Sequence, residues 1–308
     1  MTKAILYINL IFEKIFLLVC RVVNSVYYYF EDKKEILRIN AFIRAIGPHF
    51  WHYNYGDDLN YYILSTLSKK KIYNNRVLFN RKATNIMCIG SIVEEHSTPG
   101  TIIWGAGAMY GGNHQMRHKP KKVLAVRGPL TRNYLLSQGI DCPKVYGDPA
   151  LLLPYIYRPK CTKKFKLGII PHYVDFNDKR LKEFIANNHG TTVISLIEYK
   201  HWQDVIDRIN ECEYIISSSL HGLIIADAYA IPNAWIKLSD KIAGGDFKYR
   251  DYFGSVNREF REPHLFCKKT DIEIVINWVS DWQPIQYDPT SLLNSCPFEI
   301  KTIFDIVK

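Results

Sequence analysis

The stretch Tyr214-Ile-Ile-Ser-Ser-Ser-Leu-His-Gly-Leu-Ile-Ile-Ala-Asp-Ala-Tyr-Ala-Ile-Pro232 decides how the rest of the chain is read. A short apolar, β-prone run enters three serines, and an apolar helix begins near Leu220. Apolar character on both sides of the turn is the mark of a strand buried in a parallel sheet and followed by its crossover helix. Free N–H groups and the positive end of the helix dipole make such a turn an anion site. Ser217, Ser218 and Ser219 can add hydroxyl donors, His221 stands in the first turn, and Gly222 permits close approach of another chain or a ligand. The plainer reading is a serine that caps the helix and a histidine that satisfies a carbonyl. The place of His221 at a strand–helix switch favours a functional role.

Working outward, the same alternation recurs. Around this stretch lie further predicted strands at Phe165–Ile170, Thr192–Leu196 and Asn233–Ile236, with helices near Asp178–Asn188, His201–Glu211, Leu220–Ala230 and Asp271–Val279. Earlier, strands are expected at His49–Tyr53, Val77–Phe79, Asn85–Ile89, Thr101–Trp104, Lys122–Val126 and Lys144–Tyr146, with helices at Leu59–Ser68 and Pro129–Ser137. The pattern predicts an α/β protein of two Rossmann-like domains facing across a cleft. Ligands then sit outside the carboxyl ends of the strands. The expected divisions are an amphipathic extension over 1–40, a first domain over 41–158, and a second over 159–308 with a C-terminal tail.

Composition sets the class of partner. Lys+Arg 40 against Asp+Glu 30 gives a net charge of +10, which favours an anionic partner. The basic residues are dispersed and no nucleic-acid motif is present, so a phosphate-bearing substrate or lipid fits better than nucleic acid. The seven cysteines are scattered, with no CxxC pair, which argues against a disulfide framework or a zinc site and for a reducing compartment. Residues 4–30 are rich in apolar side chains, but Glu13, Lys14 and Arg21 interrupt any span long enough to cross a bilayer. No signal-peptide cleavage pattern follows. On a helical wheel Asn9, Glu13, Lys14, Arg21, Asn24 and Ser25 form a polar arc. Such a helix either packs on the protein or lies in a membrane interface.

Other loops that follow strands carry candidate chemistry. In Asn54-Tyr-Gly-Asp-Asp-Leu-Asn60, Gly56 permits a tight turn, and one of Asp57 and Asp58 is expected to cap the helix. The other is free to bind a sugar hydroxyl or act as a base. Arg127, in Val126-Arg-Gly-Pro-Leu-Thr-Arg132, is expected at the cleft mouth, where its fork suits a carboxylate or phosphate. His172 ends a strand in Ile170-Pro-His172. Gly244-Gly-Asp-Phe-Lys248 reads as a loop that can bring Lys248 to an anion, and Asp148 in Gly147-Asp-Pro149 reads as an N-cap. Gly105-Ala-Gly107 lacks the remaining spacing of a dinucleotide fingerprint.

The ordered set Asn54-Tyr-Gly-Asp-Asp-Leu-Asn60, Trp104-Gly-Ala-Gly107, Arg127-Gly-Pro-Leu-Thr131, Gly147-Asp-Pro-Ala150, Ile170-Pro-His172 and Ser219-Leu-His-Gly222 resembles the polysaccharide pyruvyl transferase family. It is most similar to the succinoglycan pyruvyltransferase-like branch. The resemblance implies a GT-B-like pair of domains, phosphoenolpyruvate as donor, no further cofactor and no metal. It implies a glycan acceptor of a capsule or exopolysaccharide, or its lipid-linked precursor, met in the cytoplasm at the inner face of the cell membrane; residues 1–40 have no counterpart in the family pattern, but the apolar helix of residues 4–30 in a basic chain suits a peripheral contact there. The resemblance places Arg127 and His221 at donor-binding or catalytic positions; His221 is the first catalytic candidate, and the loop reading adds Asp57 or Asp58 as the second choice of base. The donor is assigned to Arg127, Ser217, Ser218, Ser219, Leu220, Lys248 and His172, and the acceptor to Asn54 and Gly56. Many family members carry an Arg where this chain has Ser219. Competing expectations are a GT-B glycosyltransferase using a nucleotide sugar, and an inactive glycan-binding scaffold of an assembly complex.

Overall fold

The structure, a computed structural model, describes residues 3–46, 49–51, 54–112 and 114–301; for 3–13, 44–46 and 49–51 the backbone alone is described. Five strands of the first half, β1 (Ile36–Ile39), β4 (Lys71–Asn74), β5 (Asn85–Met87), β6 (Thr101–Trp104) and β7 (Lys122–Ala125), form a parallel sheet in the order β4-β1-β5-β6-β7. β2 (Arg44–Ile46) and β3 (His49–Trp51) make a separate antiparallel hairpin. The second half repeats the first design. β8 (Phe165–Ile170), β9 (Thr191–Val193), β10 (Cys212–Ser217), β11 (Asn233–Lys237) and β12 (His264–Leu265) form a parallel sheet in the order β12-β11-β10-β8-β9.

Counted within each sheet, both orders are 2-1-3-4-5. The chain therefore reverses direction between the first and third strand of each sheet, which opens a crevice at their carboxyl ends. In the first sheet that crevice lies between β1 and β5, and in the second between β8 and β10.

The helices are α1 (Lys3–Phe30), α2 (Tyr55–Ser68), α3 (Val93–His96), α4 (Pro129–Ser137), α5 (Lys179–Asn187), α6 (Trp202–Asn210), α7 (Leu220–Ala228), α8 (Phe247–Ser255), α9 (Ile272–Ser280) and α10 (Thr290–Asn294). Local chemistry sets several ends. Pro129 opens α4, where a missing N–H is harmless. Asp178 and Asp271 cap α5 and α9 through backbone N–H groups of Arg180 and Ile274. α7 is apolar on nearly every side because the second sheet, α6 and the linker Pro149–Tyr155 enclose it.

One continuous buried cluster runs through both halves, from Ile39 and Leu59 to Ile215 and Ile224. At the edge of the cleft the halves are strapped together. Tyr55 donates its backbone N–H to Leu196 O at 2.7 Å and its hydroxyl to Trp202 O at 2.7 Å, and Tyr62 stacks on Trp202. Residues 290–301 return to the first sheet: Trp104 Nε1 donates to Leu292 O at 2.9 Å, and Lys301 N donates to Leu67 O.

Several expectations about strands and loops are corrected. Ile36–Ile39, placed in the extension before residue 41, is a central strand of the first sheet. β4 replaces the expected strand Val77–Phe79, where a 3-10 turn Asn75–Val77 stands instead. Lys144–Tyr146 contributes a single bridge, Val126 to Tyr146. The expected strand His49–Tyr53 is β3 over His49–Trp51, and residues 52 and 53 lie outside the described residues. Lys248 sits on α8 rather than in a flexible loop. All seven cysteines are free. No helix among the described residues is long and apolar enough to cross a membrane.

Candidate active site

The two crevices face each other and enclose a cleft of about 770 Å³. From the first half it is lined by the segment after β1 (Phe42), the start of α2 (Asn54, Asp57) and the loop after β5 (Gly90, Ser91). From the second half come the loop after β8 (His172), the start of α7 (Ser219, Leu220, His221) and Lys248 of α8.

His221, in the first turn of α7, is held on two sides. Its Nε2 lies 3.9 Å from Asp148 Oδ2. Both atoms are buried, and neither has a hydrogen-bond partner among the described residues. The Nδ1 edge of the ring presses on Gly56 across the cleft, where an added Cβ would come within 1.9 Å of Nδ1. Only glycine lets α2 approach that closely. Burial, then the charges of Arg127, Lys248 and His172, push the imidazole down to about 3, so it is neutral at physiological pH.

Asp148 is the residue that sequence reasoning set aside. It does cap, as expected: its Oδ1 accepts from Ala150 N at 2.9 Å. The second carboxylate oxygen is left over and turns toward His221. Burial pushes this carboxyl up to about 7.

Asp57 and Asp58 divide differently from expectation, because neither caps α2. Asp57 lines the cleft and accepts from Asn54 Nδ2 at 2.9 Å. Burial, then the neighbouring Asp58 charge, raises its carboxyl to about 7. Asp58 is fully buried and accepts from the Tyr199 hydroxyl, tying α2 to the second half.

Arg127 does not open onto the cleft mouth. It is 1% exposed, and its guanidinium is fully engaged: Nε to Asp251 Oδ2 at 3.0 Å, Nη1 to Ser91 Oγ at 2.6 Å, and Nη2 to Ala108 O at 2.6 Å. Gly107 lies flat against the guanidinium. Its charge reaches the site through Ser91 and through the low-dielectric interior, where it depresses both His221 and Lys248.

Of the three serines Ser217–Ser219, Ser219 alone lines the cleft. Ser217 Oγ accepts from Ser219 N and bonds to Ile170 O, while Ser218 Oγ accepts from His172 N at 2.9 Å. These two shape the turn. Ser219 makes no side-chain cap at the start of α7, whose residues Leu220 and His221 also line the cleft. Lys248 is 8% exposed and lowered to about 8 by burial and then Arg127. His172 accepts from Val174 N and is lowered to about 4, chiefly by burial. Among the described residues, no group of His, Cys, Asp and Glu could hold a metal ion.

A cation, a helix start and paired carboxylates around a neutral imidazole suit transfer of an anionic group. A family model, described as polysaccharide pyruvyl transferase, matches residues 34–240. The chain belongs to this family. Membership makes it a transferase, and pyruvyl transfer to a polysaccharide is the general class of its activity. It is 26% identical to the succinoglycan biosynthesis protein ExoV of Rhizobium meliloti (strain 1021), over 79% of this chain and 76% of that one. It is 27% identical to an uncharacterized protein of Acanthamoeba polyphaga mimivirus, over 86% and 90%. A solved structure from Klebsiella pneumoniae aligns with a TM-score of 0.43 and 11% identity, covering 85% of this chain and 100% of that one. Of the segments that carry the resemblance, the Asn54–Asn60 loop, His172 and the Ser219–Gly222 turn line the cleft, and Asp148 stands behind His221.

Proposed function

We propose that the enzyme transfers pyruvate from phosphoenolpyruvate to two hydroxyls of one sugar, forming a cyclic ketal and releasing phosphate. Its acceptor is a cell-surface polysaccharide or the lipid-linked precursor, met in the cytoplasm at the inner face of the cell membrane. The observation that carries this reading is the pairing, across one cleft, of an anion-holding wall with two carboxyls and an imidazole of widely separated acidity.

The donor has a carboxylate and a phosphate. Lys248 and the start of α7 with Ser219 supply separate holders for them, and Arg127 adds positive potential from behind. Asp57, titrating near 7, is the acid that protonates the methylene carbon and leaves a cation at C2. A sugar hydroxyl attacks C2 and gives its proton to Nδ1 of His221, while Asp148 holds the opposite ring nitrogen. Phosphate then departs, carrying the proton of the second hydroxyl as that oxygen closes the ring. The roles follow from environments that push the groups apart in acidity.

The test is phosphate release from phosphoenolpyruvate by the purified chain across a panel of defined glycans. Thermal midpoints should rise with phosphoenolpyruvate and not with nucleotide sugars. A rise with a nucleotide sugar alone would sink the reading and restore the glycosyltransferase.

A further inference from the structure

α1 is turned inside out relative to a surface helix. Over its C-terminal half the polar side chains face the protein: Asn24 is 1% exposed, and Ser25 Oγ accepts from Phe79 N at 3.3 Å. Its outward arc, spanning roughly 120° at helical spacing, carries Leu18, Val19, Val22, Val26, Tyr29 and Phe30, all exposed. A continuous apolar ridge of this length on a protein surface marks a docking site.

Beside the ridge lies a group of arginines. Arg21 of α1, Arg76 next to it, Arg81 and Arg117 act on one another or on His96 as like charges: Arg81 is lowered by burial and by Arg21 and Arg117, Arg76 by burial and Arg81. None of the four makes an ion pair with a carboxylate among the described residues, and Arg21 Nε and Arg76 Nη1 are buried without a partner. The group reaches from α1 to the cleft. Arg76 stacks on Phe42 at 4.7 Å, and Phe42 and His96 both line the cleft.

We propose that the outward ridge of α1 and the Arg21, Arg76, Arg81 and Arg117 group together dock on an anionic lipid surface. The ridge enters the headgroup boundary and the arginines meet lipid phosphates. Charge selects this occupant. A second copy on the same face would bring two sets of unpaired arginines together in a protein of net charge +10, whereas an anionic bilayer neutralises them. The surface deepens the proposed function by placing the cleft mouth at the lipid–water boundary, within reach of an acceptor held by a lipid tail; for that consequence it rests on the pyruvyl-transfer reading. The docking itself does not.

The test is co-sedimentation of the full chain with vesicles of phosphatidylcholine alone and with added phosphatidylglycerol, at low and high salt. Binding is expected to be far stronger to the anionic vesicles and to weaken with salt. Arg81→Glu with Arg117→Glu should weaken it by more than roughly tenfold, and Val22→Asp with Val26→Asp should abolish it. Both double variants should keep their circular dichroism and their phosphate release with a soluble acceptor, which reports on the cleft separately. No sedimentation with anionic vesicles, equal binding to both vesicle types, or binding indifferent to both variants would overturn the proposal. So would a dimer in solution that Val22→Asp with Val26→Asp dissolves.

Discussion

His221 Nε2 and Asp148 Oδ2 face each other at 3.9 Å, buried and without other partners among the described residues. That separation is longer than a hydrogen bond and shorter than indifference. Above pH 7 the carboxylate holds the proton on Nε2, which leaves Nδ1 as the base. Asp148→Asn keeps the cap to Ala150 through its amide oxygen. Its NH₂ group donates to Nε2, however, and moves the imidazole proton to Nδ1. Phosphate release should fall by roughly 10²–10⁴-fold in kcat with little change in KM. An unchanged kcat removes Asp148 from the site.

The same substitution should stabilise the protein. Asp148 is raised to about 7, so between about pH 4 and 7 the folded state holds a proton that the unfolded state has lost. Stability contributed by that proton is present at low pH and is lost as pH rises through about 7. Asn carries no charge to desolvate. Asp148→Asn should therefore unfold at higher denaturant above pH 7, by roughly 1–3 kcal/mol, and match the parent at pH 4. A residue that merely propped the turn would destabilise at both.

The pH profile of kcat/KM should be a narrow bell centred near 7. The rising limb is deprotonation of Asp148, and the falling limb is loss of the Asp57 proton, both near 7. Above about 8 the fall should steepen as Lys248 loses its charge. Asp57→Asn should lower the rate and erase the first falling limb. A profile that climbs steadily from 6 to 8 would make Asp57 the base instead.

Gly56→Ala tests the close approach to His221. A Cβ within 1.9 Å of Nδ1 must displace the ring, while alanine strengthens α2 by up to about 1 kcal/mol. Activity should drop at least roughly tenfold with the thermal midpoint held.

Arg127→Ala separates scaffold from donor contact. It leaves Asp251 buried without its cation, although Thr131 still donates to both carboxylate oxygens. Denaturant unfolding should show a loss of about 3–5 kcal/mol. Lys248→Ala, by contrast, should raise KM for the donor by roughly 10–100-fold at nearly unchanged stability.

How much of this was legible follows residue by residue. The strand at Thr101–Trp104 and helix at Pro129–Ser137 were read to the residue, because apolar run and proline signal agree. β1 was lost because its flank Glu31–Arg38 is charged and only the sheet buries Ile36 and Ile39. α8 was lost because Gly244-Gly-Asp reads as a loop and Phe247–Ser255 has no clear apolar stripe. The loops at the cleft were found from their position after strands, and Ser91 satisfied that rule without being singled out. Arg127 could not be placed, since its partner Asp251 is 124 residues away. Asp148 was read for one oxygen when it has two.

The return of residues 290–301 has a consequence for synthesis. Leu292 receives the indole N–H of Trp104, Phe298 meets the same ring edge-on, and Leu67 at the end of α2 accepts from Lys301. The first sheet therefore leaves the ribosome with one flank bare and stays so while the second is made. The half translated first is completed last, and the nascent chain must be guarded against aggregation over that interval.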